Sequence, residues 1–208
     1  MIAIINFAVM ILSTILFSVL YSMSVQPAKL EKTKGHKAYK ICGKIRKISF
    51  IFVVLIFITY VLYYFFPLQT FLPRFFLWGW VPSIITGSMM VLMATILIYK
   101  AGKAAADQSF TPNKENNMYS GIYKKIRHPQ AISDTVYYIA TGFLINSPFI
   151  VFISLFWIPI YWYICKIEED DLVIRFGESY QEYIKTTGMF IPKSNKYKEL
   201  GKLYEKTN

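Results

Sequence analysis

The sequence predicts an all-α, multi-pass membrane bundle: about five transmembrane helices, the last two forming a C-terminal hairpin, then a cytoplasmic amphipathic helix. Three observations predict it. Of 208 residues, 55% are hydrophobic and 18% aromatic, above the apolar share of an ordinary soluble domain. Long windows carry no charge at all. And 22 of the 23 Lys and Arg residues fall on one side once those windows are threaded through a bilayer. A chain so rich in aromatic and branched residues is not a disordered one.

Ile2 to Met23, Ile48 to Leu68 and Phe75 to Tyr99 are free of Asp, Glu, Lys and Arg over 22, 21 and 25 residues. Roughly 20 apolar helical residues cross a bilayer core, so each window is a candidate span. The first has no basic stretch before it and exceeds a usual signal-peptide core; it reads as an uncleaved span. Gln130 to Cys165 is longer, 36 residues with Asp134 as its one charge. As one helix it would run roughly 54 Å, too long for a single crossing. Asn146-Ser147-Pro148 is a turn signal near its middle. The run therefore divides into two short arms, Gln130–Ile145 and Phe149–Cys165.

Eight basic residues lie between Lys29 and Lys47, six between Lys100 and Arg127, and eight from Lys166 onward, with Arg74 alone elsewhere. Five crossings put the three groups together, and the positive-inside rule makes that side cytoplasmic. The N-terminus is then outside and the C-terminus inside. A net charge of +11 is accounted for by topology and contact with anionic lipid heads; no nucleic-acid module is expected. Cys42 and Cys165 are too far apart for a disulfide framework or a zinc pattern, and with His36 and His128 the only histidines no metal site is expected. The domain reading is an N-terminal membrane part (1–105), a core (106–195) and a basic tail (196–208).

Chemistry is expected between Asp107 and Pro192. Gly121-Ile122-Tyr123-Lys124-Lys125-Ile126-Arg127-His128-Pro129 leads into the hairpin, with Pro129 suited to a helix start. Arg127 and His128 then sit beside helix N-terminal amides, which favour anions. Alternatively, they are an interfacial anchor. Asp134 stands about one turn inside a span. It faces a polar cavity, or it snorkels to the interface. Glu168-Glu169-Asp170-Asp171 follows the second arm. It reads as a solvated acidic helix start, although clustered carboxylates also suit Mg²⁺. Leu172, Val173, Phe176, Tyr180, Tyr183 and Ile184 form one amphipathic stripe. Because the arms run antiparallel, His128 and Glu168 return to the same membrane face.

In order, these elements are G-x-Y-x-x-x-R-H-P, a hydrophobic hairpin, E-E, F-G-x-x-Y-x-x-Y and T-G-x-F-I-P. The set resembles the integral-membrane methyltransferases of the isoprenylcysteine carboxyl methyltransferase and phospholipid N-methyltransferase type, over residues 120–192. The resemblance implies S-adenosylmethionine as cofactor, with S-adenosylhomocysteine as product, and a membrane lipid or hydrophobic small molecule as acceptor. It assigns cofactor contacts to Gln108, Asn116, Asn117, Met118, Tyr119, Tyr123, His128, Pro129, Gln130, Ala131 and Glu168. Glu168, Glu169, His128 and Arg127 are the implied catalytic set. The membrane would be the plasma membrane in a prokaryote and the endoplasmic reticulum in a eukaryote. A nicotinamide-dependent membrane lipid reductase and a non-catalytic membrane scaffold are the alternative functions.

The chain also departs from the family pattern. Ala131 stands where Tyr is common, and Ser133 where Gly is, followed by the unusual Asp134. The carboxyl methyltransferases carry an arginine four residues before the matched Glu, where this chain has Ile164. Carboxylate recognition is thereby weakened, and Asp134 points instead to a cationic or amine-bearing lipid.

Overall fold

The structure, a computed structural model, describes residues 1–105 and 120–193. It is an all-α membrane bundle. Among the described residues the helices are α1 (Ile2–Ser24), α2 (Pro27–Lys34), α3 (Lys37–Phe65), α4 (Trp80–Ala105), α5 (Pro129–Leu144), α6 (Pro148–Ser154), α7 (Trp157–Phe176) and α8 (Glu178–Thr186), with a 3-10 turn at Gly121–Lys124.

Among the described residues, four segments are long and apolar enough to cross a membrane: Ile2–Ser24, Lys37–Phe65, Trp80–Ala104 and Pro148–Phe176. α5, the first arm of the expected hairpin, is not among them: its 16 residues reach only about 24 Å. Large apolar side chains such as Leu12, Ile51, Val54, Ile85, Met89 and Leu92 are exposed along α1, α3 and α4. A hydrocarbon surrounding makes that surface costless.

The helices pair as antiparallel neighbours. α1 packs mainly on α3, and α4 on α5. Polar pins hold each end. Away from the basic loops, Asn6 donates to the Thr59 carbonyl at 2.9 Å, and Ser83 donates to the Asn146 amide oxygen at 2.7 Å. At the basic end, the Asp171 carboxylate accepts from the Ala28 and Lys29 amides at 3.1 and 2.8 Å, capping α2. Where lipid replaces water, such contacts and close packing carry helix association, because apolar burial no longer drives it.

The centre is aromatic. The Tyr138 and Trp157 rings stack at 4.1 Å, Phe57 stacks on the other side of Tyr138 at 5.0 Å, and Trp157 donates its indole N–H to the Tyr60 hydroxyl at 3.2 Å. Burying these rings with their polar ends partnered is the favourable arrangement.

The hairpin turns at Asn146, which adopts a left-handed φ of 53°. Ser147 then caps α6, accepting from the Ile150 amide. A Cβ on Gly142 would lie 2.7 Å from the Val151 backbone nitrogen, so only glycine lets the arms approach this closely. The second arm is broken. Pro159 has no N–H to offer the Leu155 carbonyl, which accepts from Ile158 at 3.1 Å, closing a tight turn between α6 and α7.

Two sequence expectations change here. The acidic cluster does not begin a helix: α7 runs unbroken from Trp157 to Phe176 and carries Glu168 to Asp171 in its second half. The amphipathic stripe is not one helix either. Gly177, at φ 59°, ends α7 by donating to the Val173 carbonyl and starts α8 at a new angle.

Candidate functional site at the basic end of the hairpin

The site begins with a backbone splice. Arg127 and His128 donate their amides to the Gly188 and Met189 carbonyls at 2.9 and 3.1 Å, and Ile126 pairs in parallel with Gly188. The T-G-x-F-I-P ending thus clamps the chain just before α5. Gly188 cannot carry a side chain, because its Cβ would stand 1.7 Å from the Ile191 carbonyl oxygen.

The clamp sets Arg127 inward. It is 8% exposed, and its Nε donates to Glu169 Oε1 at 2.6 Å. Its Nη1 donates to the Thr187 and Ile184 carbonyls. His128 Nε2 meets the same Glu169 oxygen at 3.1 Å, while its Nδ1 faces Glu168 Oε2 at 3.5 Å. Burial alone lowers the His128 pKa; contacts with Cys165, Glu168 and Glu169 outweigh it and raise the value well above the ordinary one. Carboxylates facing both ring nitrogens favour the protonated imidazolium.

The two glutamates differ. Glu169 is 3% exposed and spends its charge on Arg127 and His128. Glu168 keeps 27% of its side chain accessible and lines a cavity with His128, Tyr123, Pro129, Gln130 and Ala131. Glu169 is not part of that wall. The Tyr123 hydroxyl is pushed up by burial and by nearby Glu168, which keeps the phenol neutral; its carbonyl accepts from the Tyr183 hydroxyl at 2.5 Å. Gln108, Asn116, Asn117, Met118 and Tyr119 lie outside the described residues. Among the described residues, no three His, Cys, Asp or Glu side chains converge as metal ligands.

The cavity wall also includes residues the sequence reading did not single out: Tyr21 of α1, Arg46 of α3, and Tyr161 and Cys165 of α7. Beside it lies a larger cavity of about 350 Å³, walled by apolar and aromatic groups such as Phe17, Phe50, Val53, Phe57 and Ile98. Tyr21, Arg46, Gln130, Asp134 and Tyr161 line both. Asp134 faces this junction, where Tyr161 hydrogen-bonds it. Tyr21 and Arg46 gave weak sequence signals, since a tyrosine in an apolar span reads as packing and an arginine before a charge-free run reads as a topology charge.

A polar cavity at the charged end of the helical hairpin thus shares five lining residues with a more apolar one inside the bundle. Residues 78–179, a segment that holds His128, Glu168 and the hairpin, match the phospholipid methyltransferase family. Comparison with curated proteins gives no match.

Proposed function

We propose that this chain is an S-adenosylmethionine-dependent methyltransferase that methylates a lipid or other hydrophobic acceptor within the membrane. The observation that carries the proposal is the pair of joined cavities, one lined by His128, Glu168 and Tyr123, the other by apolar side chains.

The lining fits the cofactor's chemistry. S-adenosylmethionine, when bound, supplies a methyl group activated by a sulfonium. Glu168 offers a carboxylate to a cationic part of the ligand, and the His128 imidazolium offers a cation to an anionic part. Tyr123, kept neutral, presents its ring for stacking or a cation–π contact. Glu169 acts behind them, fixing His128 and tying it to Arg127, which also lines the cavity. The aromatic walls exclude water, so the residues work mainly by alignment. Asp134, at the junction, supports an amine-bearing acceptor: it pairs with a protonated amine or accepts the proton an amine must lose. The basic loops support a cytosolic opening for the polar cavity, with the N-terminus outside. The cofactor enters from the cytosol and the lipid sideways from the bilayer.

Purified protein titrated with S-adenosylhomocysteine is expected to melt at a higher temperature, and NADPH to leave the melt unchanged. Membranes given methyl-labelled S-adenosylmethionine are expected to carry label in the lipid fraction. A shift with NADPH alone would move the assignment to a reductase. No shift with either ligand, and no labelled lipid, would make the chain a scaffold. If Asp134→Asn leaves methylation of every amine lipid unchanged, the amine reading falls.

A further inference from the structure

Arg46 stands just before the charge-free stretch that begins at Ile48 in α3 and runs past the end of that helix at Phe65. Arg46 lies nine residues into α3, about 13 Å along the helix, and is 9% exposed. A buried cation in an apolar bundle is costly and marks a polar path or a ligand. Its guanidinium lies 5.7 Å from the centroid of the Tyr21 ring, and its Nη2 donates to the Ser24 carbonyl at 3.3 Å. These contacts hold the group at the wall shared by both cavities.

We infer that Arg46 selects the acceptor, by holding an oxyanion of its headgroup where the two cavities meet. This rests on the proposed function and deepens it. Among the described residues lining the larger cavity, Arg46 is the one cation and Asp134 the one carboxylate. Asp134 is six residues past His128 on α5, and Tyr161 seven before Glu168 on α7. Both therefore stand about 10 Å deeper than the His128–Glu168 tier. A lipid whose tail fills the apolar cavity has its headgroup at this depth. There Asp134 repels an oxyanion and Arg46 attracts one, so the anion is sorted to the α3 wall and the reacting group is left toward α5. A guanidinium suits the task, because its planar fork matches phosphate or carboxylate oxygens in pairs. Arg46 and Tyr21 lie outside the matched segment 78–179, so acceptor choice is set by the N-terminal helices and cofactor binding by the hairpin.

The test is equilibrium binding of phosphatidylethanolamine, which carries a phosphate, against oleylamine, which carries none. It uses the full chain in detergent, with and without saturating S-adenosylhomocysteine. The wild type is expected to prefer phosphatidylethanolamine by about tenfold or more, the worth of one good charge-assisted contact. Arg46→Gln is expected to lose that preference and Arg46→Lys to keep only part, with any change in S-adenosylhomocysteine affinity smaller than the change in lipid preference. The inference is overturned if the wild type shows no preference, or if Arg46→Gln retains it. Should Arg46→Gln not fold, a full preference in Arg46→Lys overturns it equally. Weakened S-adenosylhomocysteine binding with the lipid preference intact assigns the cation to the cofactor's carboxylate and also overturns it. Failure of the proposed function is separate: S-adenosylhomocysteine would then not bind the wild type, while the lipid preference is still read without it.

Discussion

Adjacent glutamates in this chain have opposite duties, and exchanging each for glutamine separates them. Glu169 is 3% exposed and receives Arg127 Nε at 2.6 Å and His128 Nε2 at 3.1 Å on one oxygen. Glu169→Gln keeps the shape but removes the charge, leaving a buried guanidinium and a buried imidazolium without their shared anion. Breaking a buried pair from one side costs about 3–5 kcal/mol. For a chain of this length that is a fall in Tm of roughly 6–20 °C. Glu168→Gln removes a looser 3.5 Å contact on a side chain that keeps 27% of its surface, worth about 1 kcal/mol or less. Its expected effect is on ligand, with S-adenosylhomocysteine affinity down roughly 10- to 100-fold through loss of a hydrogen bond to a charged group. The assay is thermal unfolding in detergent, with and without S-adenosylhomocysteine. If Glu169→Gln melts with the wild type, or if Glu168→Gln is the less stable of the two, the division between supporting and binding carboxylate is wrong.

Because its folded pKa is raised, His128 contributes stability that is fully present below its unfolded value of about 6.5 and is lost as pH rises through the folded one. The Tm gap between wild type and His128→Gln should therefore be widest at acid pH and close above neutrality; a gap constant from pH 6 to 9 would refute it. Gly188→Ala should open the clamp, since its Cβ would meet the Ile191 carbonyl oxygen; limited proteolysis should show cleavage near Thr187 and S-adenosylhomocysteine affinity should fall. Asp171→Ala removes the cap from α2 at a cost of about 1–2 kcal/mol, measured as a lower Tm with cofactor affinity unchanged.

The helical class was legible from composition, and the hairpin from its length and turn, because both follow from local chemistry: apolar runs match bilayer thickness, and Asn-Ser-Pro turns a chain. Of the ordered motifs, those from Gly121 to Glu169 fall in the segment that matches the phospholipid methyltransferase family, while the T-G-x-F-I-P ending lies beyond it. Local pattern was silent elsewhere. Nothing in Glu168-Glu169-Asp170-Asp171 says that the first faces a cavity, the second is consumed by Arg127, and the fourth caps a helix some 140 residues away. Those fates follow from the 100° step between successive helical residues and from what each face happens to meet. Gly177 split a stripe that periodicity read as continuous, because a left-handed residue redirects the chain without changing its pattern.

What the sequence determined by itself is the helical membrane class and the segment that matches the phospholipid methyltransferase family. What only the tertiary structure decided is the partition of that segment's residues into wall and support, and the entry of Tyr21 and Arg46 into the wall. The physical reason is distance along the chain. Hydrophobic runs and helix starts are set by neighbours a few residues apart, whereas a cavity is set by side chains from α1, α3, α5 and α7 whose meeting depends on how whole helices pack.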